Sequence, residues 1–120
     1  MKYIVLIYNN PGAWEALSEE ERQGLMGEFE AMNKEITDSG EFVGGAALAD
    51  AATSKTVRVR DGVPAITDGP FAEAKEQLAG YYVIDCESME RATEIAAMDP
   101  AARLWTVEVR PIMDEAGAEM

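Results

Sequence analysis

The sequence contains no histidine and only one cysteine, Cys86. Without histidine there can be no Ser-His-Asp triad, no Cys-His pair and no site built on the commonest metal ligand. One cysteine excludes a disulfide within the chain, and because Cys86 falls in a strand pattern we interpret it as a small core residue. Any acid–base chemistry must therefore use aspartate, glutamate, lysine, tyrosine or arginine.

Phosphate-binding glycine loops, dinucleotide-binding glycine patterns, clusters of metal ligands and basic–aromatic RNA motifs are also missing from the sequence. We therefore expect neither a cofactor nor a metal. Positive charge is scarce, with 10 lysines and arginines against 23 aspartates and glutamates and a net charge of −13. Such a balance disfavours nucleic acid and anionic membranes as partners.

Long apolar runs are absent near the start of the chain. The run from Tyr3 to Tyr8 is far shorter than the roughly 20 residues of a membrane span, and it does not have the form of a signal peptide. We therefore expect a cytoplasmic protein. Lys55, Arg58 and Arg60 fall in one stretch without an acid, which favours a small polar or anionic ligand over a charged polymer.

At 120 residues the chain is predicted to form one domain over residues 1–113, followed by an acidic tail at 114–120. Ser18 and Glu21 form a capping-box pattern, and apolar residues then recur at helical spacing. The patterns predict helices over about 19–39 and 89–98, the second ended by Pro100. They predict strands over 3–8, 41–48, 56–60, 63–67, 80–86 and 104–113.

This order predicts an α+β domain, a ferredoxin-like βαββαβ arrangement with an extra β-hairpin turning at Asp61-Gly62. Gly44 and Gly45 interrupt the second strand, and this pair predicts either a bulge or a close backbone approach. Two helices cover only one face of such a sheet, while the first strand is apolar on both sides. We therefore expect a homodimer in which two sheets pack face to face.

The segment from Asp68 to Phe71 reads as a rigid turn. Gly69 permits the turn geometry and Pro70 restricts it, while Phe71 is interpreted as a core plug or a pocket wall. Asp68 has two open interpretations. It is either a turn residue that caps backbone amides, or a general base or ligand-binding carboxylate whose pKa is raised by apolar neighbours.

Five further residues are candidate ligand-binding groups. Strand alternation predicts that Arg58, Glu108 and Arg110 share a polar face, where the arginines either grip an anionic ligand or pair with the glutamate. Lys75 is either a solvated surface residue or a contact to an anionic ligand. Tyr82 is either a buried tyrosine with an ordinary hydrogen bond or a donor to a ligand carbonyl.

These motifs resemble the DGPF branch of the YCII-related family of small dimeric α+β barrel proteins. The resemblance is carried by TDGPF at 67–71, KEQL at 75–78, GYY at 80–82 and VEVRP at 107–111. It implies a ferredoxin-like fold and a homodimer whose sheets form a barrel. For some members it also implies a link with extracytoplasmic-function sigma factors.

The resemblance implies no known reaction, and the His–Asp pair proposed for some YCII relatives cannot operate here because the chain has no histidine. Two functions remain open. One is a small-molecule-binding or regulatory homodimer. The other is a cofactor-free enzyme that transfers protons on a small carbonyl or lactone compound, with Asp68 as base. We expect Asp68 at the edge of a cavity that Tyr82 and either Arg58 or Arg110 also reach.

Overall fold

The described residues form three helices and two antiparallel sheets. The computed structural model describes residues 1–71, 75–114 and 116–117. A single 3-10 turn at Ala51–Thr53 precedes the third strand. In chain order the elements are β1 (Lys2–Asn9), α1 (Glu19–Asp38), β2 (Phe42–Ala47), β3 (Lys55–Arg60), β4 (Val63–Asp68), β5 (Gln77–Asp85), α2 (Met89–Met98), α3 (Pro100–Leu104) and β6 (Thr106–Pro111).

The larger sheet has the strand order β2-β5-β1-β6, and all of its neighbouring strands are antiparallel. With α1 between β1 and β2 and α2 between β5 and β6, this arrangement is compatible with a ferredoxin-like fold. The predicted α+β class is therefore confirmed. No helix among the described residues is both long and apolar enough to cross a membrane.

Helix α1 begins at a complete capping box. The Ser18 hydroxyl accepts a hydrogen bond from the amide of Glu21 at 3.1 Å, and the Glu21 carboxylate accepts one from the Ser18 amide at 2.9 Å. The apolar stripe buries Leu25, Met32 and Ile36. The chain leaves the helix through Gly40, whose φ of 80° suits a residue without a Cβ.

The core lies between the helices and one face of the four-stranded sheet. Its members include Cys86, as predicted, and residues from β1, β5 and α2. Along β1, Tyr3 and Val5 are buried, whereas Ile4 and Leu6 are only half-buried on the opposite face. No second layer among the described residues covers that opposite face, so only one side of the apolar first strand is buried within the chain.

Pro100 has a role that the sequence patterns did not predict. It ends α2, as expected, but it also occupies the first turn of α3, where its missing amide hydrogen is no loss. Asp99 caps this short helix by accepting a hydrogen bond from the amide of Ala101 at 2.8 Å. Because α3 takes up residues to Leu104, the last strand begins at Thr106, two residues later than predicted.

Strands β3 and β4 form a separate two-stranded sheet, which we call the arm (Lys55–Asp68). Its turn has positive φ at Asp61 (51°) and Gly62 (78°), as tight turns between antiparallel strands require. No other described element packs extensively against the arm. The Cα radius of gyration is 16.4 Å, compared with roughly 14 Å for a compact chain of this length.

Both interpretations of the glycine pair in β2 are confirmed. The register against β5 shifts between Phe42 and Gly44, which marks a bulge. At Gly45 an added Cβ would lie 2.5 Å from the Tyr81 carbonyl oxygen and 2.6 Å from the Tyr82 Cβ, so only glycine fits this backbone approach. Most of the predicted acidic tail at 114–120 lies outside the described residues.

Candidate functional site

A cavity of about 620 Å³ opens between α1, the segment that joins β1 to α1, and the β2–β5 edge of the large sheet. This volume lies within the range of small-molecule binding sites, which is roughly 300–1,000 Å³. Several small residues of β2 and β5 belong to its lining. These small residues are Gly45, Ala46, Ala47, Ala79 and Gly80.

The cavity walls are mainly aromatic and apolar, and both tryptophans of the chain belong to them. Trp14 lies in the segment before α1, where its carbonyl oxygen accepts a hydrogen bond from Arg22 Nε at 3.0 Å. Trp105 follows α3, and its amide donates to the carbonyl of Ala101 at 2.7 Å. Other large apolar wall residues are Ile7, Met26, Phe29, Met32, Ile36, Phe42, Leu48 and Leu78.

Tyr82 and Asp99 are the buried polar pair of the cavity lining. The Asp99 side chain is held by its cap on α3, and the residue is only 2% exposed. The Tyr82 hydroxyl lies close enough to the Asp99 carboxyl group for the contact to affect the pKa of both groups, but the contact does not meet the distance and angles of a hydrogen bond. It is buried and has no hydrogen-bond partner among the described residues. A buried donor without a partner is costly, so this hydroxyl is a natural contact for a ligand oxygen or nitrogen.

The same burial shifts the acid–base behaviour of both groups. Burial, together with the neighbouring Asp99 charge, raises the pKa of the Tyr82 phenol well above its ordinary value, so it remains a neutral donor. Burial also raises the pKa of the Asp99 carboxyl group, while the Ala101 amide opposes the shift. A carboxyl group in such surroundings can exchange a proton with a bound molecule more readily than a solvated one.

Among the predicted site residues, Tyr82 lines the cavity, whereas Asp68, Arg58 and Arg110 do not. Asp68 ends β4 on the arm, where it forms an ion pair with Lys55, and its side chain is 86% exposed. The single chain therefore does not bring Asp68, Tyr82 and an arginine together at one cavity.

The three residues expected on one polar face are divided between two sheets. Glu108 and Arg110 lie on the uncovered face of β6, and Arg110 Nη2 donates to Glu108 Oε1 at 2.9 Å. Arg58 lies instead on the arm, opposite Ala65. Strand alternation correctly placed each residue within its own strand, but it carries no information about which strands share a sheet.

The turn residues are ordered by contacts with the arm. Gly69 has a φ of 88°, donates its amide to the Ser54 carbonyl at 2.7 Å and accepts from the Thr56 hydroxyl at 2.8 Å. Pro70 and Lys75 are exposed, and Phe71 is 78% exposed. Phe71 is thus neither a core plug nor part of the cavity wall within this chain.

A family model described as the YCII-related domain matches residues 1–116. The chain belongs to the YCII-related family. It is also 37% identical over 114 residues to an uncharacterized protein, R00369, from Rhizobium meliloti (strain 1021), a match that covers 93% of this chain and 92% of that protein. The YCII-related assignment agrees with the resemblance noted from the motifs.

Sequence reasoning overlooked Asp99 and Trp14. The signal for Asp99 was present, because an aspartate before a proline that opens a helix is a capping pattern. Pro100 was interpreted only as the end of a helix, so the residue before it received no attention. Trp14 lies in a segment without periodicity, and no local pattern shows that it faces a cavity.

Proposed function

We propose that this YCII-related protein is a small-molecule-binding homodimer whose ligand occupies the cavity beside Tyr82 and Asp99. The observation that carries the proposal is an apolar cavity of about 620 Å³ containing a buried hydroxyl without a partner. The run TDGPF at 67–71 supports its placement in the DGPF branch of the family. Such a cavity offers apolar contact area and a few polar groups that orient a ligand.

Ligand binding is measurable because both tryptophans line the cavity. We expect the fluorescence of N-phenyl-1-naphthylamine, an uncharged apolar probe, to increase on binding, and the probe to quench tryptophan fluorescence. Trp105→Glu should weaken binding at least tenfold, because it places a charge in the wall. Asp68→Asn is the matched control on the exposed arm and should leave binding unchanged. Loss of binding in Asp68→Asn alone would place the site at the turn from Asp68 to Phe71 instead.

Dimerisation is supported by the uncovered face of the large sheet. Ile4, Leu6, Tyr81 and Val83 lie on this face and are only half-buried in the single chain. Packing the same face of a second copy against it would bury these residues in one self-complementary interface. Light scattering should give about twice the 13.1 kDa chain mass.

The dimer interface has a direct test by substitution. Leu6→Glu places a charge at the centre of the uncovered face and should produce monomers at micromolar concentration. Gln23→Glu adds the same charge to the exposed surface of α1 and should leave the dimer intact. A wild-type monomer, or an unchanged mass for Leu6→Glu, would reject the sheet-to-sheet arrangement.

A regulatory role beside an extracytoplasmic-function sigma factor is retained as a further proposal, supported by the motif resemblance. In this role the ligand in the cavity would change the affinity for the partner. The test is a binding measurement between the purified protein and a sigma factor encoded near its gene, with and without a cavity probe. Equal affinities in both conditions would contradict this form of regulation.

A proton-transfer enzyme is the second candidate, and the Asp99 carboxyl group is the observation that favours it. The pKa of this carboxyl is raised by burial, and it lies at a cavity, whereas Asp68 is solvated and paired with Lys55. In this chain Asp99, rather than Asp68, therefore fits the role of base. Asp99→Asn retains the cap of α3 and removes the titrating group.

The enzyme hypothesis predicts that the wild type catalyses exchange of the α-proton of a bound small ketone with deuterated water. In the Asp99→Asn variant this exchange should be much slower, while the melting temperature should be unchanged. The Asp68→Asn variant should exchange at the wild-type rate. If the wild type gives no exchange above the buffer rate for any cavity-binding carbonyl compound, the binding function stands and the enzyme hypothesis falls.

A further inference from the structure

We infer that the cavity selects mostly apolar aromatic molecules that carry no negative charge. This inference rests on the proposed binding function and gives its ligand a chemical class. It narrows the expectation of a small polar or anionic ligand, which came from the basic residues Lys55, Arg58 and Arg60 on β3, by excluding the anionic alternative. Those residues lie on the arm and not in the cavity lining.

The charge of the lining is the first step. Among the described residues, no lysine or arginine lines the cavity, whereas Glu15, Asp50 and Asp99 do. The seven residues outside the described ranges add no base, because they are alanines, glutamates and a methionine in the sequence. An anionic ligand would therefore enter without a cationic side chain in the wall to compensate its charge.

Most basic residues outside the arm already have hydrogen-bond or ion-pair partners within the chain. Arg22, the basic residue next to Trp14, donates to the carbonyl oxygens of Trp14 and Glu15 at 3.0 and 2.8 Å. Arg91 is paired with Glu41, and Arg103 with Glu28. The net charge of −13 adds a repulsive field for anions around the whole molecule.

The uncharged part of the lining includes aromatic rings and the Tyr82 hydroxyl. Trp14, Trp105, Phe29 and Phe42 present rings that favour flat apolar bodies, and indole faces also attract organic cations. Among the described buried side-chain atoms, the Tyr82 hydroxyl has no hydrogen-bond partner. Like any phenol it is neutral at physiological pH, and burial raises its pKa further. A neutral phenol binds the oxygen of an alcohol or carbonyl without requiring a charge on the ligand.

The test uses three probes with the same ring system and different charges: 2-naphthalenemethanol, 2-naphthylmethylamine and 2-naphthoate. Dissociation constants are measured by titration calorimetry on the full chain at pH 7, with 0.5 M sodium chloride to screen the long-range field. We expect the alcohol and the amine each to bind at least tenfold more tightly than the carboxylate. A carboxylate that binds within tenfold of the alcohol would overturn the inference.

Two variants show whether the lining causes the preference. Glu15→Gln and Asp50→Asn remove carboxylates at the lining without changing side-chain size, and together they should reduce the gap between alcohol and carboxylate at least threefold. The pair Glu19→Gln and Glu20→Gln, on the exposed first turn of α1, changes the net charge equally and should leave the gap unchanged. Equal effects of the two pairs would contradict selection by the lining.

The outcome also separates this inference from the function on which it rests. If none of the three probes binds to the wild type, the cavity is not a small-molecule site, and both proposals fall. If the carboxylate binds as tightly as the alcohol, the binding function stands and only the chemical class is wrong.

Discussion

The four-stranded sheet with its helices and the β3–β4 arm both contain strands with an apolar face, but they bury that face to very different extents. In β1, Tyr3 and Val5 are almost fully buried against the helix layer. In the arm, Val57 and Val59 alternate with polar residues and share one face, yet they are 59% and 58% exposed. An alternating strand therefore has an apolar face by sequence, and burial of that face depends on whether another layer packs on it.

The arm is held together by local contacts at its base. The Lys55–Asp68 ion pair and the hydrogen bond from Thr56 to Gly69 close the open end, and Asp61 and Gly62 form the turn. An isolated two-stranded hairpin is marginally stable in water. The arm therefore depends on these local contacts, whereas the body, which comprises the four-stranded sheet and the three helices, is stabilised by its own core.

The largest predicted difference comes from one substitution made in both regions. Ile95→Ala removes a fully buried side chain from the core and should lower the free energy of unfolding by about 3 kcal/mol. Ile66→Ala on the arm removes a side chain that is 62% exposed and should cost about 1 kcal/mol or less. Urea denaturation of both variants at matched protein concentration measures the difference.

The comparison breaks if Ile66→Ala destabilises the protein as strongly as Ile95→Ala. In that case the arm would be buried in the folded protein, and a second copy would be the covering layer. Dilution would then lower the stability of the Ile66→Ala variant more steeply than that of the wild type.

A second prediction concerns the glycines of β2, which belong to the body. Gly45→Ala would place a Cβ within 2.8 Å of three atoms of Tyr81 and Tyr82, so the strands must move apart. We expect a loss of about 2 kcal/mol in unfolding free energy. Gly44→Ala meets nothing within 4 Å and is the matched control, with an expected change within about 0.5 kcal/mol. Equal melting temperatures for the two variants would reject the close approach.

Much of the body could be predicted from the sequence because its signals are local. The Ser18–Glu21 capping box and the spacing of Leu25, Met32 and Ile36 predicted α1 to within one residue at its C-terminus. The α+β class followed from the order of such elements. These signals depend on contacts between residues that are close in the chain, so they can be recognised in a single sequence.

The site could be predicted only in part. Tyr82 was identified as a candidate because it follows Gly80 in a strand, and it does line the cavity. Asp99 and Trp105 lie at the two ends of α3 and line the same cavity, but no periodic pattern in the sequence predicted α3. Arg58 and Arg110 were grouped by alternation alone, and their separation into two sheets depends on long-range strand pairing that local patterns do not encode.

Ion pairs give a third comparison between the regions. In the body, hydrogen bonds from Arg91 and Ser39 lower the pKa of the Glu41 carboxyl to about 2, and both members of the Arg91–Glu41 pair are mostly buried. Because the folded-state pKa lies below the ordinary value, this stabilisation is complete above about pH 4.5 and is lost as the pH falls toward 2. After solvent screening we expect no more than about 1 kcal/mol from it.

The matched variants are Glu41→Gln and Asp68→Asn, which remove one carboxylate from the body and one from the arm. Unfolding free energies at pH 7 and pH 3 should converge between wild type and Glu41→Gln as the pH falls. The arm pair is solvated, so Asp68→Asn should cost within about 0.5 kcal/mol at pH 7. A pH-independent gap for Glu41→Gln would show that packing, and not charge, explains its effect.

The smallest predicted effect lies where the arm ends, at Gly69. Its φ of 88° is one that side chains with a Cβ rarely adopt, although open space surrounds the position where a Cβ would lie. The cost of Gly69→Ala in unfolding free energy is therefore conformational only, and we expect about 1 kcal/mol.

Two control variants accompany Gly69→Ala. Gly24→Ala, in the exposed middle of α1, also meets open space and should stabilise the protein slightly. Lys75→Ala, at an exposed residue, should change the unfolding free energy by less than about 0.5 kcal/mol. If Gly69→Ala and Lys75→Ala have the same melting temperature, the turn from Asp68 to Phe71 does not depend on the backbone conformation of its glycine.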